Sequence, residues 1–279
     1  MFELFLSVDH ESKEYRLFCE ESDQAKGVTL DQSKLTLNYG VGNSLRLSTS
    51  PSGTSGDWTY FSLLGKTLSW DVDLSNVPCG LNATFYSVYL SQGMGYRDAC
   101  ATFFSATELD FMEANQYAWH TTFHCAPNDC GSAPPLGFGG TLSDPRYLFY
   151  DFSGKQTTIQ LLYGPGEQYT INTRQPFHAS IEFRLDTEGN LEAMLLSLTQ
   201  GENGIGQQYN ASNEEFKGWL NKLGKQIVCT PGIGKGNVLV WSLWTGGLNW
   251  LESPPCGYGS NPHCSATSCQ FTISNIILE

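Results

Sequence analysis

Apolar and polar residues alternate along the chain in short runs that are separated by turn-forming residues. Alternation of this kind is typical of β-strands with one buried face. The clearest runs cover residues 34–38, 44–48, 67–74, 84–90, 156–162, 179–185, 237–244 and 270–278. Together with 29 glycines, which favour tight turns, these runs predict an all-β sandwich.

One segment has the 3.6-residue period of a helix instead. Residues 213–223 place Phe216, Leu220 and Leu223 on one side, and Ser212 or Asn213 is suited to cap the first turn. We expect this to be the one short helix of the fold. The Gly, Ser and Pro residues of 48–56 predict a long hairpin loop, and no repeat or linker divides the chain. We therefore expect residues 1–279 to form a single domain without a separate binding module.

The run 108–115 carries three carboxylates, Glu108, Asp110 and Glu113, among apolar residues. In a regular strand Glu113 would point away from the other two, because side chains alternate between faces. A β-bulge between Asp110 and Glu113 would put all three on one face. Such a set suits acid/base chemistry on a glycosidic bond, but the residues alone leave a calcium site or a solvated strand face as alternatives.

Composition narrows the choice of partner. The net charge of −13 at pH 7 argues against nucleic acid or an anionic membrane as the partner, since both bind basic surfaces. No run of 18 apolar residues could cross a bilayer. A neutral polymer is the partner that this composition favours.

Nine cysteines and the sequons at Asn82 and Asn210 indicate an oxidising, secreted setting. The sequence leaves the pairing open. Cys125 and Cys130 lack the spacing of a zinc site, which favours a small loop disulfide or two separate partners. Residues 1–9 lack the basic and apolar regions of a signal peptide, so the signal is not visible in this chain.

Five blocks, in order, resemble the signature blocks of glycoside hydrolase family 7. They are residues 68–86, 108–115, 139–147, 163–166 and 240–253. The family comprises retaining cellobiohydrolases and endo-β-1,4-glucanases, and the resemblance runs from about Phe18 to the C-terminus. It implies a curved antiparallel β-jelly-roll sandwich of the concanavalin-like kind. It implies no metal and no cofactor.

Matched by position, the resemblance assigns the catalytic roles. Glu108 would be the nucleophile, Asp110 would hydrogen-bond Glu108 and help to set its charge, and Glu113 would be the acid/base. His124 would lie beside the acid/base on the leaving-group side. Trp244 would be a stacking platform, while Trp241, of opposite parity, is expected in the core. The remaining implied contacts to substrate are Trp250 as the second platform, Asn82, Tyr86 and Asp98 on the glycone side, and Arg146 on the product side.

The departures from the family suggest an open cleft. The N-terminal portion is shortened, the loop after Tyr147 is shorter, and two family disulfides have no cysteines here, their positions being Arg97, Ala101, Ser105 and Ala106. We therefore expect a secreted, monomeric endo-β-1,4-glucanase that binds a cellulose-like β-glucan. The alternatives are a catalytically weak or inactive glucan-binding relative, and a β-1,3 or mixed-linkage glucanase.

Overall fold

The computed structural model describes residues 2–19, 27–31, 33–39, 45–48, 58–91, 107–124, 133–143, 150–151, 161–227, 235–257 and 268–279, with residues 259, 262 and 264. Eighteen strands lie in this described part. They are β1 (Phe2–Val8), β2 (Glu11–Cys19), β3 (Val28–Asp31), β4 (Lys34–Asn38), β5 (Leu45–Ser48), β6 (Thr67–Asn76), β7 (Asn82–Ser91), β8 (Glu108–Ala114), β9 (Ala118–His124), β10 (Leu136–Gly139), β11 (Tyr150–Asp151), β12 (Tyr163–Gly164), β13 (Ile171–Asn172), β14 (Phe177–Leu185), β15 (Leu191–Gln200), β16 (Asn203–Asn210), β17 (Lys235–Trp244) and β18 (Gln270–Leu278).

Helices are few. Among the described residues they are α1 (Glu214–Gln226), α2 (Asn249–Glu252) and a 3-10 helix at Gly140–Ser143. The sequence predicted one helix, and the structure adds α2. This second helix is a single turn, too short to show a helical period in the sequence. Helix α1 confirms the predicted segment, and its Leu220 and Leu223 are buried in the core. No described helix has the length and apolarity needed to cross a membrane.

Two groups of strands form the layers of the sandwich. The front sheet has the order β10-β9-β8-β7-β17-β5, and the back sheet has the order β18-β6-β14-β15-β16-β11. Strands β2 and β1 join the two groups into one continuous hydrogen-bonded path. Within the front sheet every recorded pairing is antiparallel, as expected for a jelly roll.

The core lies between these sheets and is rich in aromatic residues. Trp70 of the back sheet meets Phe85 of the front sheet edge to face, with ring centroids 5.1 Å apart. It also stacks on Trp119 of β9 at 6.2 Å. Trp241 stacks on Phe85 at 5.0 Å, which confirms that it faces the core. Each such pair adds about 0.5–1.5 kcal/mol to the stability gained by burial.

Most of the predicted strands are confirmed within a few residues of their ends. Six of the eight predicted runs lie in β4, β6, β7, β14, β17 and β18, and a seventh lies in β5. Residues 156–160 of the remaining run, and residues 49–56 of the predicted hairpin loop, lie outside the described residues. So do Cys125, Cys130 and the four positions at which the family disulfides are replaced.

Two disulfides lie within the described residues. Cys79 is bonded to Cys256 across 177 residues of sequence, and Cys264 is bonded to Cys269. The first joins the turn between β6 and β7 to the segment just after α2. Because it closes a long loop, it limits the unfolded chain strongly, an effect of about 2–4 kcal/mol for a typical disulfide.

Candidate active site

Strand β8 contains the predicted bulge. Against β9, Asp110 pairs with Thr122 and Glu113 pairs with His120, so three steps on β8 face two on β9. Against β7, Met112 and Asp110 face consecutive residues, which leaves Phe111 as the extra residue. Phe111 and Met112 consequently both enter the core. The three carboxylates then share the opposite face of the sheet.

That opposite face, called here the front face, is the surface of the front sheet that points away from the core. Strand register places its residues in three rows across β7, β8 and β9. The rows are Thr84, Glu113 and His120; Tyr86, Asp110 and Thr122; and Val88, Glu108 and His124. Neighbouring strands lie about 4.8 Å apart, so each carboxylate is close to the residue beside it on β7 and to the residue beside it on β9.

Asp110 is the most enclosed of the three carboxylates. Its side chain is 5% exposed, and its Oδ2 lies 3.0 Å from His124 Nε2. One ligand atom each from Glu108, Asp110 and His124 lie within 4.8 Å of one another. His124 thus contacts Asp110 directly and faces Glu108 across the strands. Calcium takes six to eight oxygen ligands, so two carboxylates and an imidazole form a poor calcium site.

Glu113 has a separate partner. Its Oε1 accepts a hydrogen bond from Asn82 Nδ2 at 3.3 Å. Asn82 itself is fully buried, which places its side chain out of reach of a glycosylating enzyme. Its Oδ1 is buried without a hydrogen-bond partner, so the amide presents an acceptor as well as a donor close to Glu113.

Burial raises the pKa values of all three carboxyl groups. Burial, with the nearby charge of Asp110, raises the pKa of Glu108 to about 8, although His124 opposes the shift. Burial raises the pKa of Asp110 to about 8. Burial also raises the pKa of Glu113 well above its usual value, with both Asp110 and Glu108 adding to the shift and with His124 and Asn82 opposing it. Glu113 is raised by two carboxylates and Glu108 by one, so Glu113 is the better holder of a proton.

The two predicted platforms lie on opposite sides of Glu113. Trp244 ends β17, where it pairs with Asn82, two strands from β8 and thus about 10 Å away across the sheet. Trp250, the second residue of α2, lies on the other side, with its ring 5.8 Å from that of His120 on β9. Trp250 is 43% exposed. The pair defines a line across the strands with Glu113 between its ends.

Tyr86 lies on the front face but is almost covered. It is 6% exposed and packs with Trp58, Val88, Val238 and Val240 in a second apolar cluster. The cluster fills the front face beside Glu108, which contributes to the low polarity around that carboxylate. Asp98 and Arg146, the other two predicted substrate contacts, lie outside the described residues.

Two buried ionisable residues were not predicted from the sequence. His120 lies beside Glu113, and burial lowers its pKa to about 3, so the ring is neutral. Glu252 of α2 accepts hydrogen bonds from Gly80 N at 2.9 Å and from Asn115 Nδ2 at 2.7 Å. Burial raises the pKa of Glu252, and these two hydrogen bonds oppose the shift. Glu252 anchors α2, and with it Trp250, to the turn before β7.

Comparison with known proteins finds similar chains among the endoglucanases. No protein-family model matches the chain. Endoglucanase EG-1 of Hypocrea jecorina is 29% identical over 295 residues, which cover 87% of this chain and 57% of that protein. Endoglucanase EG-1 of Trichoderma longibrachiatum is 30% identical with the same coverage. The chain is thus similar in sequence to these endoglucanases over most of its length. It spans about 57% of the length of these curated relatives.

Comparison with solved structures shows the same fold in known cellulases. An endoglucanase I in complex with cellobiose superposes with a TM-score of 0.66 at 15% identity, covering 99% of this chain and 95% of that one. A family 7 cellobiohydrolase from Daphnia pulex gives the same TM-score and identity, with coverage of 99% and 96%. The jelly-roll sandwich predicted from the sequence is thus confirmed.

The buried carboxylates should make the folded protein less stable as the pH rises. In the unfolded chain Glu108 loses its proton near pH 4.5, whereas in the folded protein it keeps it to about pH 8. Between these values the folded state binds more protons, so the free energy of unfolding falls with increasing pH. Glu108→Gln removes this effect. At pH 6, about 1.5 units above the usual pKa, we expect it to raise the free energy of unfolding by about 2 kcal/mol.

Urea unfolding at pH 4, 6 and 7 measures this gain. It should be near zero at pH 4 and grow toward pH 7. Glu188→Gln, on the exposed turn between β14 and β15, is the matched control. A gain for Glu108→Gln that is the same at every pH would contradict the assignment of a buried, protonated carboxyl.

Proposed function

We propose that this chain is a retaining glycoside hydrolase that cleaves internal β-1,4-glucosidic bonds of cellulose or a related β-glucan in an open cleft. The observation that carries the proposal is the bulge in β8. It sets Glu108 and Glu113 on one face, with the Asp110–His124 pair between and beside them. Retaining enzymes need two carboxyl groups of opposite protonation state that face one glycosidic bond.

In the first step Glu108, ionised above its raised pKa of about 8, attacks the anomeric carbon as a carboxylate. The bond from that carbon to the departing oxygen breaks, and Glu113 gives its proton to the oxygen. The product is an ester between Glu108 and the glycone. In the second step Glu113, now ionised, takes a proton from water, whose oxygen attacks the same carbon and releases Glu108. Two inversions give net retention.

The pKa values support this division of roles. Glu113 is raised by the charges of both Asp110 and Glu108, so it keeps its proton longer than Glu108 as the pH rises. Once Glu108 is esterified it is neutral, so it no longer raises the pKa of Glu113. The pKa of Glu113 then falls, which suits its second role as a base.

His124 supplies compensating charge. Its Nε2 lies 3.0 Å from Asp110 Oδ2, and its attraction lowers the pKa of both Glu108 and Glu113. We infer that Asp110 and His124 set the protonation of the two reacting groups.

The positions of the tryptophans suggest the path of the substrate. A glucan chain running across the strands from Trp244 to Trp250 would place one linkage over Glu113. Flat aromatic rings bind the apolar faces of sugar rings without charge, which suits a neutral polymer and a protein of net charge −13. The resemblance supports endo action, since the loops that roof a tunnel in the family are shortened here.

We further propose a single catalytic domain that acts as a secreted monomer. The Cys79–Cys256 and Cys264–Cys269 disulfides support an oxidising compartment, because such bonds persist outside the reducing cytosol. The curated relatives are endoglucanases of fungi.

A polysaccharide panel tests the proposed function. Carboxymethylcellulose, lichenan and laminarin are incubated with the wild-type protein, and reducing ends, viscosity and product lengths are followed. We expect a rapid fall in the viscosity of carboxymethylcellulose with few reducing ends, and a mixture of oligosaccharides. Release of cellobiose alone would contradict endo action, cleavage of laminarin alone would favour a β-1,3-glucanase, and binding without cleavage would favour an inactive glucan-binding relative.

A further inference from the structure

Beside Glu113 lies a polar contact chain that the mechanism above does not use. It consists of His120 on β9, Thr141 in the 3-10 helix and Trp250 at the start of α2. His120 faces Glu113 directly across the two strands and is 3% exposed. A histidine this buried, next to an acid/base and without a charge, calls for a physical account.

The hydrogen bonds of Thr141 determine which ring nitrogen of His120 carries the hydrogen atom. Thr141 Oγ1 lies 2.8 Å from the carbonyl oxygen of Trp250 and 3.1 Å from His120 Nε2. The carbonyl can only accept, so the single hydroxyl hydrogen of Thr141 goes to Trp250. His120 must then donate to Thr141 from Nε2. Because the ring is neutral, its Nδ1 carries no hydrogen.

His120 and Thr141 hold Trp250 from two directions. The hydroxyl of Thr141 fixes its backbone carbonyl, and the ring of His120 contacts its indole edge to face at 5.8 Å. Close packing reinforces the arrangement, since a Cβ on Gly140 would lie 2.0 Å from the carbonyl oxygen of Leu251. On its far side α2 is anchored by Glu252. The exposed indole is thereby carried on a rigid support.

We propose that His120 is a positioning residue that, through Thr141, holds the Trp250 platform in a fixed place relative to Glu113 and so orients the departing sugar. The inference rests on the proposed function, because it takes Glu113 as the acid. Correct placement of the leaving oxygen against the acid lowers the barrier by orientation. The contact chain therefore acts on the leaving-group side of the cleft and on substrates that occupy it.

The proposal separates two kinds of substrate. With cellotetraose the departing group is a sugar that needs the platform. With 4-nitrophenyl β-cellobioside the departing group is a small phenol that leaves readily without it. We expect His120→Ala and Thr141→Val to lower kcat/KM for cellotetraose about 10-fold, the effect of one lost buried hydrogen bond. The loss for the aryl substrate should stay below about 2-fold.

Conservative variants and a double-mutant cycle sharpen the test. Thr141→Ser keeps the hydroxyl and should retain most of the activity on cellotetraose, as should His120→Gln, whose amide N–H can replace Nε2–H. In a protein that already carries Trp250→Ala, His120→Ala should lower kcat/KM for cellotetraose little further, because both substitutions disable the same platform. Thermal unfolding of every variant shows whether the fold is kept, and Thr141→Val serves if His120→Ala does not fold.

Equal losses on both substrates would overturn the proposal, as would additive losses in the Trp250→Ala background. Unchanged kinetics of His120→Ala and Thr141→Val would overturn it while leaving the proposed function intact. If the wild-type protein cleaves neither substrate, the proposed function fails, and this inference fails with it.

Discussion

The Glu108→Gln substitution is expected to lower kcat on carboxymethylcellulose by on the order of 10⁴-fold or more. The amide of glutamine cannot attack the anomeric carbon to form the ester. The fold should persist, because a neutral glutamine suits the buried site better than a carboxylate does. Reducing-sugar release over long incubations measures the loss, and circular dichroism checks the fold.

The matched control is Glu182→Gln on β14, whose side chain lies on the outer face of the back sheet between the core residues Ile181 and Phe183. It should keep full activity. Azide offers a second check, since with Glu108→Ala it can enter the vacated space and attack an activated β-cellobioside once, which gives the α-azide. Near-wild-type turnover by Glu108→Gln would rule out Glu108 as the nucleophile.

Glutamine at position 113 is expected to slow cleavage of unactivated β-glucan about 10²–10⁴-fold, the usual contribution of a general acid. Its effect should depend on the leaving group. With 2,4-dinitrophenyl β-cellobioside the phenolate leaves unprotonated, so the ester on Glu108 forms quickly, but water attacks it slowly without a base. A pre-steady-state burst of about one dinitrophenolate per enzyme molecule should precede slow turnover.

The pH dependence of the activity gives a second test of the role of Glu113. In the wild type, activity falls as the pH rises through the raised pKa of Glu113, because the acid loses its proton. That alkaline limb should disappear from the first step of Glu113→Gln. An equal loss on cellulose and on the dinitrophenyl substrate, with no burst, would contradict the role of Glu113 as acid/base.

The site was predictable where strand periodicity decides it. In a regular strand Glu113 and Asp110 would point to opposite faces, because they are three residues apart. One bulge between them puts both side chains on the same face. The structure places that bulge at Phe111. The same parity argument sends Trp241 to the core and Trp244 to the front face. These predictions succeed because side chains alternate between the two faces of a strand, and one extra residue moves every later side chain to the other face.

Other features depend on contacts that sequence patterns do not show. His120 shares its face with His124, since the two are four residues apart on one strand, but the apolar residues of 118–124 hide the alternation. Only the fold brings Thr141 and Trp250, 21 and 130 residues further along the chain, to its ring. The pairing of Cys79 with Cys256 is likewise a long-range fact. The near-complete burial of Tyr86 follows from the cluster around Trp58.

The central claim is that Glu108 forms a covalent bond to the sugar, and mass spectrometry tests it directly. The wild-type protein is incubated with 2-deoxy-2-fluoro-β-cellobiosyl fluoride, whose fluorine slows breakdown of the glycosyl-enzyme. We expect intact protein that is heavier by one fluorocellobiosyl group, with the label on Glu108 in the peptide that contains residues 108–115. A label on Asp110 or Glu113 would contradict the account.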